Sequence, residues 1–168
     1  GLDANGSIII NGGYIVVLGP TSDGDTAIDY DDSCTINGGT VMAFGSSGML
    51  EIPKGASNGA CIVTAFTSVS GGSKYTLSDS NGNEILSYTP SKAYAAAIVY
   101  SDKITTGNTY DITAGSTTLS IEVTSDVTSN VSSGLGKAGG MNMPGNGGSG
   151  MPNNGSSDNG MNGNSNGS

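Results

Sequence analysis

The sequence predicts an all-β protein in three parts: a short parallel β-helix over residues 1–52, an antiparallel β-sandwich-like domain over 53–124 and a low-complexity tail over 125–168. Three observations support this prediction. An internal repeat with an offset of 26 residues fills the first part. Hairpin signals follow in the second part, and the last part consists mainly of Gly, Asn, Ser and Met.

The repeat predicts about two stacked coils. Segment 1–19 matches segment 27–45 without a gap, with seven identities: Asp3/Asp29, Ser7/Ser33, Ile10/Ile36, Asn11/Asn37, Gly12/Gly38, Gly13/Gly39 and Gly19/Gly45. A fixed period of this size is typical of solenoids, whose units bury their apolar faces against each other. The β-branched runs Ser7–Ile10 and Tyr14–Leu18 flank a turn of Asn-Gly-Gly, and neither unit has helical periodicity. We therefore predict a parallel β-helix with Asn11 beneath Asn37 in an amide ladder.

Strand alternation separates inward from outward side chains in both coils. The predicted inward residues are Ile8, Ile10, Ile15 and Val17, then Cys34, Ile36, Val41 and Ala43. The outward residues Val16, Leu18, Met42 and Phe44 are also apolar; we call these four the apolar stripe. Because an exposed face should not carry such a patch, we expect the following domain or a partner to cover it.

The second part predicts six short strands and no helix. Two hairpin signals stand out, at the turns 80–83 and 114–116. We expect the repeat to end after Gly48 and the new domain to cap the bare edge of the last coil. The tail that follows lacks the apolar residues needed to offset its ordering entropy, so we expect it to be disordered.

Charge excludes one class of partner and favours another. The chain has five lysines, no arginine or histidine, and fourteen acidic residues, seven of which precede Lys54. A nucleic-acid binder needs a cationic surface, so nucleic acid is excluded. No run is long and apolar enough to insert into a membrane. A cation is therefore the natural partner of the first part.

Calcium is the cation that the acidic residues favour. Five carboxylates lie within ten residues, with no lysine or arginine among them: Asp23, Asp25, Asp29, Asp31 and Asp32. Calcium takes six to eight oxygen ligands from loops of this kind. The alternative is that these residues are solvated or form turns. Two cysteines leave a similar choice, because Cys34 and Cys61 are either buried thiols or a disulfide pair.

The first 124 residues resemble a known family, the secreted bacterial "carbohydrate-binding domain-containing" proteins. The resemblance rests on the NGG corners, IDYD and GSSGM in the first part, and on SKYTLSDSNGNEILSYTPSKAY and TGNTYDITAG in the second. It implies the C-terminal portion of a calcium-containing, right-handed β-helix related in fold to pectate lyases. The family members carry a longer run of coils and bind plant cell-wall polysaccharide without cleaving it.

These observations predict a non-catalytic carbohydrate-binding module at the bacterial cell surface or outside the cell. Polysaccharide β-elimination needs a basic residue, and the coils have none. Tyr14 and Tyr30 are the predicted sugar platforms near the acidic strip, with Asp3 beside them. Bound calcium would bridge to the carboxylates of a uronate glycan. The alternative function is a structural surface or fibre protein that self-assembles through the open edge of the β-helix.

Overall fold

The protein consists of β-strands and connecting loops throughout the part that the structure describes. The computed structural model describes residues 1–131, which contain fourteen strands in four sheets and no helix. The strands are β1 (Leu2–Ala4), β2 (Ser7–Ile10), β3 (Tyr14–Leu18), β4 (Ile28–Tyr30), β5 (Ser33–Ile36), β6 (Thr40–Gly45), β7 (Gly55–Ala56), β8 (Ala60–Val69), β9 (Tyr75–Asp79), β10 (Glu84–Tyr88), β11 (Tyr94–Ser101), β12 (Thr109–Ala114), β13 (Thr117–Glu122) and β14 (Val127–Ser129). The predicted all-β class is confirmed. No helix in this range could span a membrane.

Three pairs of parallel strands join the two repeat units. β1 pairs with β4, β2 with β5 and β3 with β6, and each residue pairs with the one 26 positions later. The predicted amide ladder is confirmed, because Asn37 Nδ2 donates a hydrogen bond to Asn11 Oδ1 over 2.9 Å. Ser33 and Ser7 repeat the arrangement, with 3.0 Å between their hydroxyl oxygens. The offset of the sequence repeat is therefore the register of the stack.

A short third layer follows the two units. β7 pairs in parallel with β5, but the offset has fallen from 26 to 20 residues. The Ser57 hydroxyl then donates to Asn37 Oδ1 over 2.9 Å, and Asn58 Nδ2 donates to the Asn37 carbonyl oxygen over 3.0 Å. The prediction that the repeat ends after Gly48 is wrong, because a shorter connection returns the chain to the same sheet.

The largest sheet has five strands in the order β14-β8-β11-β6-β3. β11 runs antiparallel to both β6 and β8, so it occupies the place beside β6 that a third parallel strand would take. β14 is parallel to β8 at the far edge. It is held there by Asp126, whose carboxylate accepts a hydrogen bond from the Ala56 nitrogen over 3.1 Å, and by Asn130, whose Oδ1 accepts one from the Ala65 nitrogen over 3.0 Å.

The position of β14 corrects the predicted start of the tail. Residues 127–129 are a strand of the five-stranded sheet, so a tail that begins at residue 125 begins too early. The sequence gave no sign of this strand because it is three residues long and its partner lies about 65 residues earlier in the chain. The remainder of the predicted tail, 132–168, lies outside the described residues.

Two hydrophobic cores lie on opposite faces of the five-stranded sheet. The core inside the stacked units combines the predicted inward residues with Cys61, Val63, Ala96, Ile98 and Tyr100. The other core lies between the five-stranded sheet and an antiparallel sheet of order β10-β9-β12-β13. Met42 and Phe44 are buried in this second core, and Val16 and Leu18 pack against it. The expected cover over the apolar stripe is confirmed, and this chain supplies it.

Both predicted hairpins are present in the antiparallel sheet. β9 and β10 pair around the 80–83 turn, and β12 and β13 pair around the 114–116 turn. β9 also pairs with β12, which places Asp79 directly opposite Tyr110. This pairing brings the 80–83 turn next to the loop that leads into β12.

Candidate functional site

The loop between the units carries Asp23 and Asp25, and both contact neighbouring chain segments. Asp25 Oδ1 accepts a hydrogen bond from the Thr26 nitrogen over 2.7 Å, and its carbonyl oxygen accepts one from the Ser46 hydroxyl over 2.5 Å. The Asp23 side chain lies so close to Gly48 that a Cβ there would be 2.8 Å from the Asp23 carboxyl carbon. These contacts fasten the loop to the end of the second unit.

Asp3 and Asp29 form a stacked pair of carboxylates on the β1–β4 sheet. They are register partners, one in each unit. Ile28 and Tyr30 are buried, so strand alternation directs Asp29 outward. Parallel strands lie about 4.8 Å apart, which places two like charges on one face at short range. This pair is the clearest concentration of negative charge in the stacked units.

Asp31 and Asp32 lie in the turn after β4, at the opposite end of that strand from Asp25. Their backbone nitrogens donate hydrogen bonds to carbonyl oxygens of the first unit, over 3.2 and 3.0 Å. The Lys54 ammonium donates to the Asp32 carbonyl oxygen. The expectation that no cation lies near the acidic residues is therefore wrong, because the third layer brings Lys54 to this turn.

The five aspartates predicted to bind calcium do not come together. β4 separates the pair in the loop from the pair in the turn. Across residues 1–131 no group of three or more Asp, Glu, Cys or His side chains is arranged to hold a metal ion. Closeness in sequence did not become closeness in space, because an extended strand lies between the two pairs. Calcium binding stays a prediction.

Tyr30 is part of the core and cannot offer a ring face to a sugar. Its side chain is only 7 % exposed. Its hydroxyl donates to the Ile52 carbonyl oxygen over 2.5 Å, and its backbone nitrogen donates to a Glu51 carboxylate oxygen over 2.9 Å. Burial, followed by the charge of Glu51 and the nearby Cys34, raises the Tyr30 pKa to about 12. The predicted role of Tyr30 as a platform is wrong.

Tyr14 is exposed, but it lies away from the acidic loop. Its side chain is 69 % exposed at the start of β3. The loop follows the other end of that strand, about 13 Å away at the usual rise per residue. Tyr14 instead lies three positions after Asn11, beside the amide ladder. The expectation that Tyr14 projects near the acidic strip is wrong.

The two cysteines are buried free thiols in the core of the stacked units. Burial, and then the charge of Glu51, raises the pKa of Cys34 to about 11. Burial also raises the pKa of Cys61, followed by the effects of Cys34 and Asp126. Both thiols therefore stay protonated near neutral pH, where they pack as small apolar groups rather than act as nucleophiles.

A polar cleft that the sequence did not predict opens at the edge of the second core. It has a volume of about 250 Å³ and lies between the 80–83 turn and the loop before β12. Its lining residues are Asp79, Ser80, Asn81, Ile85, Lys103, Thr105, Asn108, Thr109 and Tyr110. The hairpin signal located one wall, but the pairing of β9 with β12 that brings up the other wall is not visible in the sequence.

Comparisons with protein-family models, curated proteins and solved structures find no match to this chain. Function must therefore be argued from the residues themselves. Three features are available: the exposed Tyr14 beside the amide ladder, the open face of the first unit, and the polar cleft.

Proposed function

We propose that this chain is a non-catalytic extracellular module that binds polysaccharide. In this proposal the stacked units are about two coils of a right-handed parallel β-helix, followed by a β-sandwich-like domain. The observation that carries the proposal is the exposed ring of Tyr14 beside the ladder of Asn11 and Asn37. Sugars are recognised by aromatic faces combined with a few convergent polar groups, and this corner offers both.

The polar side of this corner is held in a fixed geometry. Asn37 donates to Asn11 and accepts from Ser57, so the amide planes and the hydroxyl are oriented before any ligand arrives. Thr40, the register partner of Tyr14, adds a second hydroxyl group in the next layer. Preorganised polar groups lose little entropy on binding, which favours recognition of a sugar chain laid along the layers.

We further propose calcium as the ion bound by the acidic surface. The stacked carboxylates of Asp3 and Asp29 repel each other, and a divalent ion would reverse that effect. Because β4 separates the remaining aspartates, Asp23 with Asp25 and Asp31 with Asp32 are alternative partners for such an ion. Calcium bound there would also supply a positive charge for a uronate-containing glycan.

A glycan array run with calcium and again with a chelator tests this proposal. We expect binding to plant cell-wall polysaccharides in calcium, and loss of uronate binding in chelator. Tyr14→Ala should weaken binding about tenfold through loss of the stacking face, whereas Tyr14→Phe keeps the ring and most of the affinity. Replacing Asp29 and Asp31 together with Asn should remove the calcium dependence. An array with no signal, or one unchanged by Tyr14→Ala, would overturn the proposal.

Self-assembly through the first unit is the second candidate, and Gly12 is the observation that favours it. A Cβ on Gly38, its counterpart in the second unit, would lie 3.1 Å from the Asn11 carbonyl oxygen. A Cβ on Gly12 would meet nothing within 4 Å, and Gly12 does not have a positive φ. Nothing in the described residues requires glycine here, whereas a backbone docked against the first unit would require it.

The same end of the stack has unused binding groups. β1, β2 and β3 are each the edge strand of a sheet, and the Ile9 side chain is 64 % exposed. The opposite end is covered: β11 lies beside β6, β7 beside β5, and Glu51 accepts from the Tyr30 nitrogen. With one open end, copies of the chain would meet end to end in a closed dimer, so assembly would stop short of a fibre.

Sedimentation velocity over a range of concentrations tests the dimer. We expect a concentration-dependent shift from monomer to dimer in the native protein. Ile9→Lys should keep the protein monomeric, because a charge would be buried at the edge of β2. Thr118→Lys, on the exposed side of β13 in the other sheet, is the matched control and should leave the shift intact. A native protein that stays monomeric at high concentration would contradict this second candidate.

A further inference from the structure

We propose that the polar cleft binds a small zwitterion that carries an ammonium and a carboxylate group close together, such as a free α-amino acid. The cleft presents a lysine on one wall and an aspartate on the other. These charges belong to Lys103, in the loop before β12, and Asp79, at the end of β9. The inference does not depend on carbohydrate binding, which was argued from the Tyr14 corner.

Lys103 has an ammonium group without a partner in the part of the chain that the structure describes. The other lysines in that part are all engaged: Lys54 donates to the Asp32 carbonyl, Lys74 pairs with Glu84 at 3.0 Å, and Lys92 donates to the carbonyls of Leu18 and Gly19. Within residues 1–131 the side chain of Lys103 makes no hydrogen bond or ion pair, although it lines the cleft. It is therefore available to bind the carboxylate of a ligand.

Asp79 is ionised and retains capacity for one more donor. Its carboxylate accepts hydrogen bonds from the Asn81 nitrogen over 2.9 Å, and from the Asn83 nitrogen and Nδ2 over 2.8 Å each. These bonds, led by those from Asn83, lower the Asp79 pKa below its usual range. An ionised carboxylate has about four acceptor sites, so about one remains for an ammonium group.

Hydrogen bonds also fix the opposite wall. The Tyr110 hydroxyl accepts from the Thr105 nitrogen over 2.9 Å and donates to the Lys103 carbonyl oxygen over 3.3 Å. Asn108 Nδ2 donates to the Thr105 hydroxyl over 2.6 Å, which leaves the Asn108 carbonyl oxygen free to accept a hydrogen bond from a ligand. Both walls are thus set before binding, so little ordering entropy opposes it.

Charge and size together indicate a zwitterion. The one ion pair among the described residues joins Lys74 to Glu84, so Lys103 and Asp79 face the cleft without neutralising each other. An anion alone would leave Asp79 unmatched, and a cation alone would leave Lys103 unmatched. The volume of about 250 Å³ lies just below the range typical of drug-sized ligands, and Ile85 offers contact to a short apolar side chain. A small α-amino acid meets all three conditions.

Backbone amide chemical shifts measured during titration with three matched ligands test the proposal. L-alanine carries both charges, L-lactate replaces the ammonium with a hydroxyl, and L-alaninamide removes the carboxylate. We expect saturable shifts at residues 79–85 and 103–110 with L-alanine. The other two ligands should bind about tenfold more weakly, since each loses one charge-assisted hydrogen bond. Equal binding of all three ligands, or no shift in the cleft, would overturn the proposal.

Variants assign the two charges to their residues. Lys103→Gln should weaken L-alanine binding about tenfold and leave L-alaninamide binding unchanged. Lys92→Gln removes the same charge at a distance from the cleft and should change neither. Asp79→Asn should have the converse effect, with weaker binding of L-alanine and unchanged binding of L-lactate. If Asp79→Asn disturbs the hairpin turn, Lys103→Gln alone decides, because unchanged L-alanine binding in that variant contradicts the assignment.

Discussion

Replacing Phe44 with alanine should lower the free energy of unfolding by about 3–5 kcal/mol, the usual cost of emptying a large aromatic site in a core. Phe44 is 2 % exposed, and its ring centroid lies 5.3 Å from that of Tyr75, 5.9 Å from Tyr88 and 5.1 Å from Tyr94. Phe44 therefore connects the second repeat unit to the antiparallel sheet. The collapse of that sheet onto the vacancy is restricted, because several rings already surround it.

Urea denaturation measures this loss. Ile9→Ala is the control, because Ile9 is an exposed apolar residue in the first unit and should cost less than about 0.5 kcal/mol. A Phe44→Ala variant with a loss as small as that of Ile9→Ala would show that the antiparallel sheet does not cover the apolar stripe. The slope of free energy against urea should stay near the native value, since both variants unfold the same structure.

Gly39→Ala should be about as damaging, with an expected loss of about 2–5 kcal/mol from two causes. Gly39 has a φ of 90°, a conformation that alanine adopts only with strain. A Cβ at this position would also lie 2.8 Å from the Gly13 nitrogen in the layer beneath. Both strands at this corner would have to move to accept it.

Gly13→Ala is a matched control for the second cause. Gly13 has a similar φ of 98°, but a Cβ there would meet nothing within 4 Å. Its loss should therefore reflect backbone strain alone, about 1–3 kcal/mol. The difference between the two variants in thermal or urea unfolding measures the cost of separating the layers. Equal losses would contradict the close stacking of Gly39 on Gly13.

The sequence predicted those parts of the fold that depend on local or repeated patterns. The offset of 26 residues gave the register of three strand pairs, and the 80–83 turn gave a hairpin. β1 and β4 were missed because three residues carry too little alternation to identify a strand. β7 was missed because the offset changed to 20. The insertion of β11 beside β6 is a long-range pairing for which a single sequence holds no local signal.

The candidate sites were harder to predict for reasons of direction and distance. The inward position of Tyr30 follows from alternation once Ile28 and Asp29 are placed on β4, so this error was avoidable. The separation of Asp25 from Asp31 depends on the same short strand. The position of Lys54 beside Asp32 depends on the third layer, and the cleft depends on the pairing of β9 with β12. The last two are tertiary facts that residue spacing does not contain.

The position of β11 also fixes the order in which the protein can assemble. β6 has no antiparallel partner until residues 94–101 are available, because β8 is made earlier but lies on the far side of β11. During synthesis the edge of β6 therefore emerges long before the strand that covers it. Non-local pairings of this kind slow folding and leave strand edges open to other chains in the meantime. A nascent chain that stops before β11 has both flanking strands and no means of joining them into the native sheet.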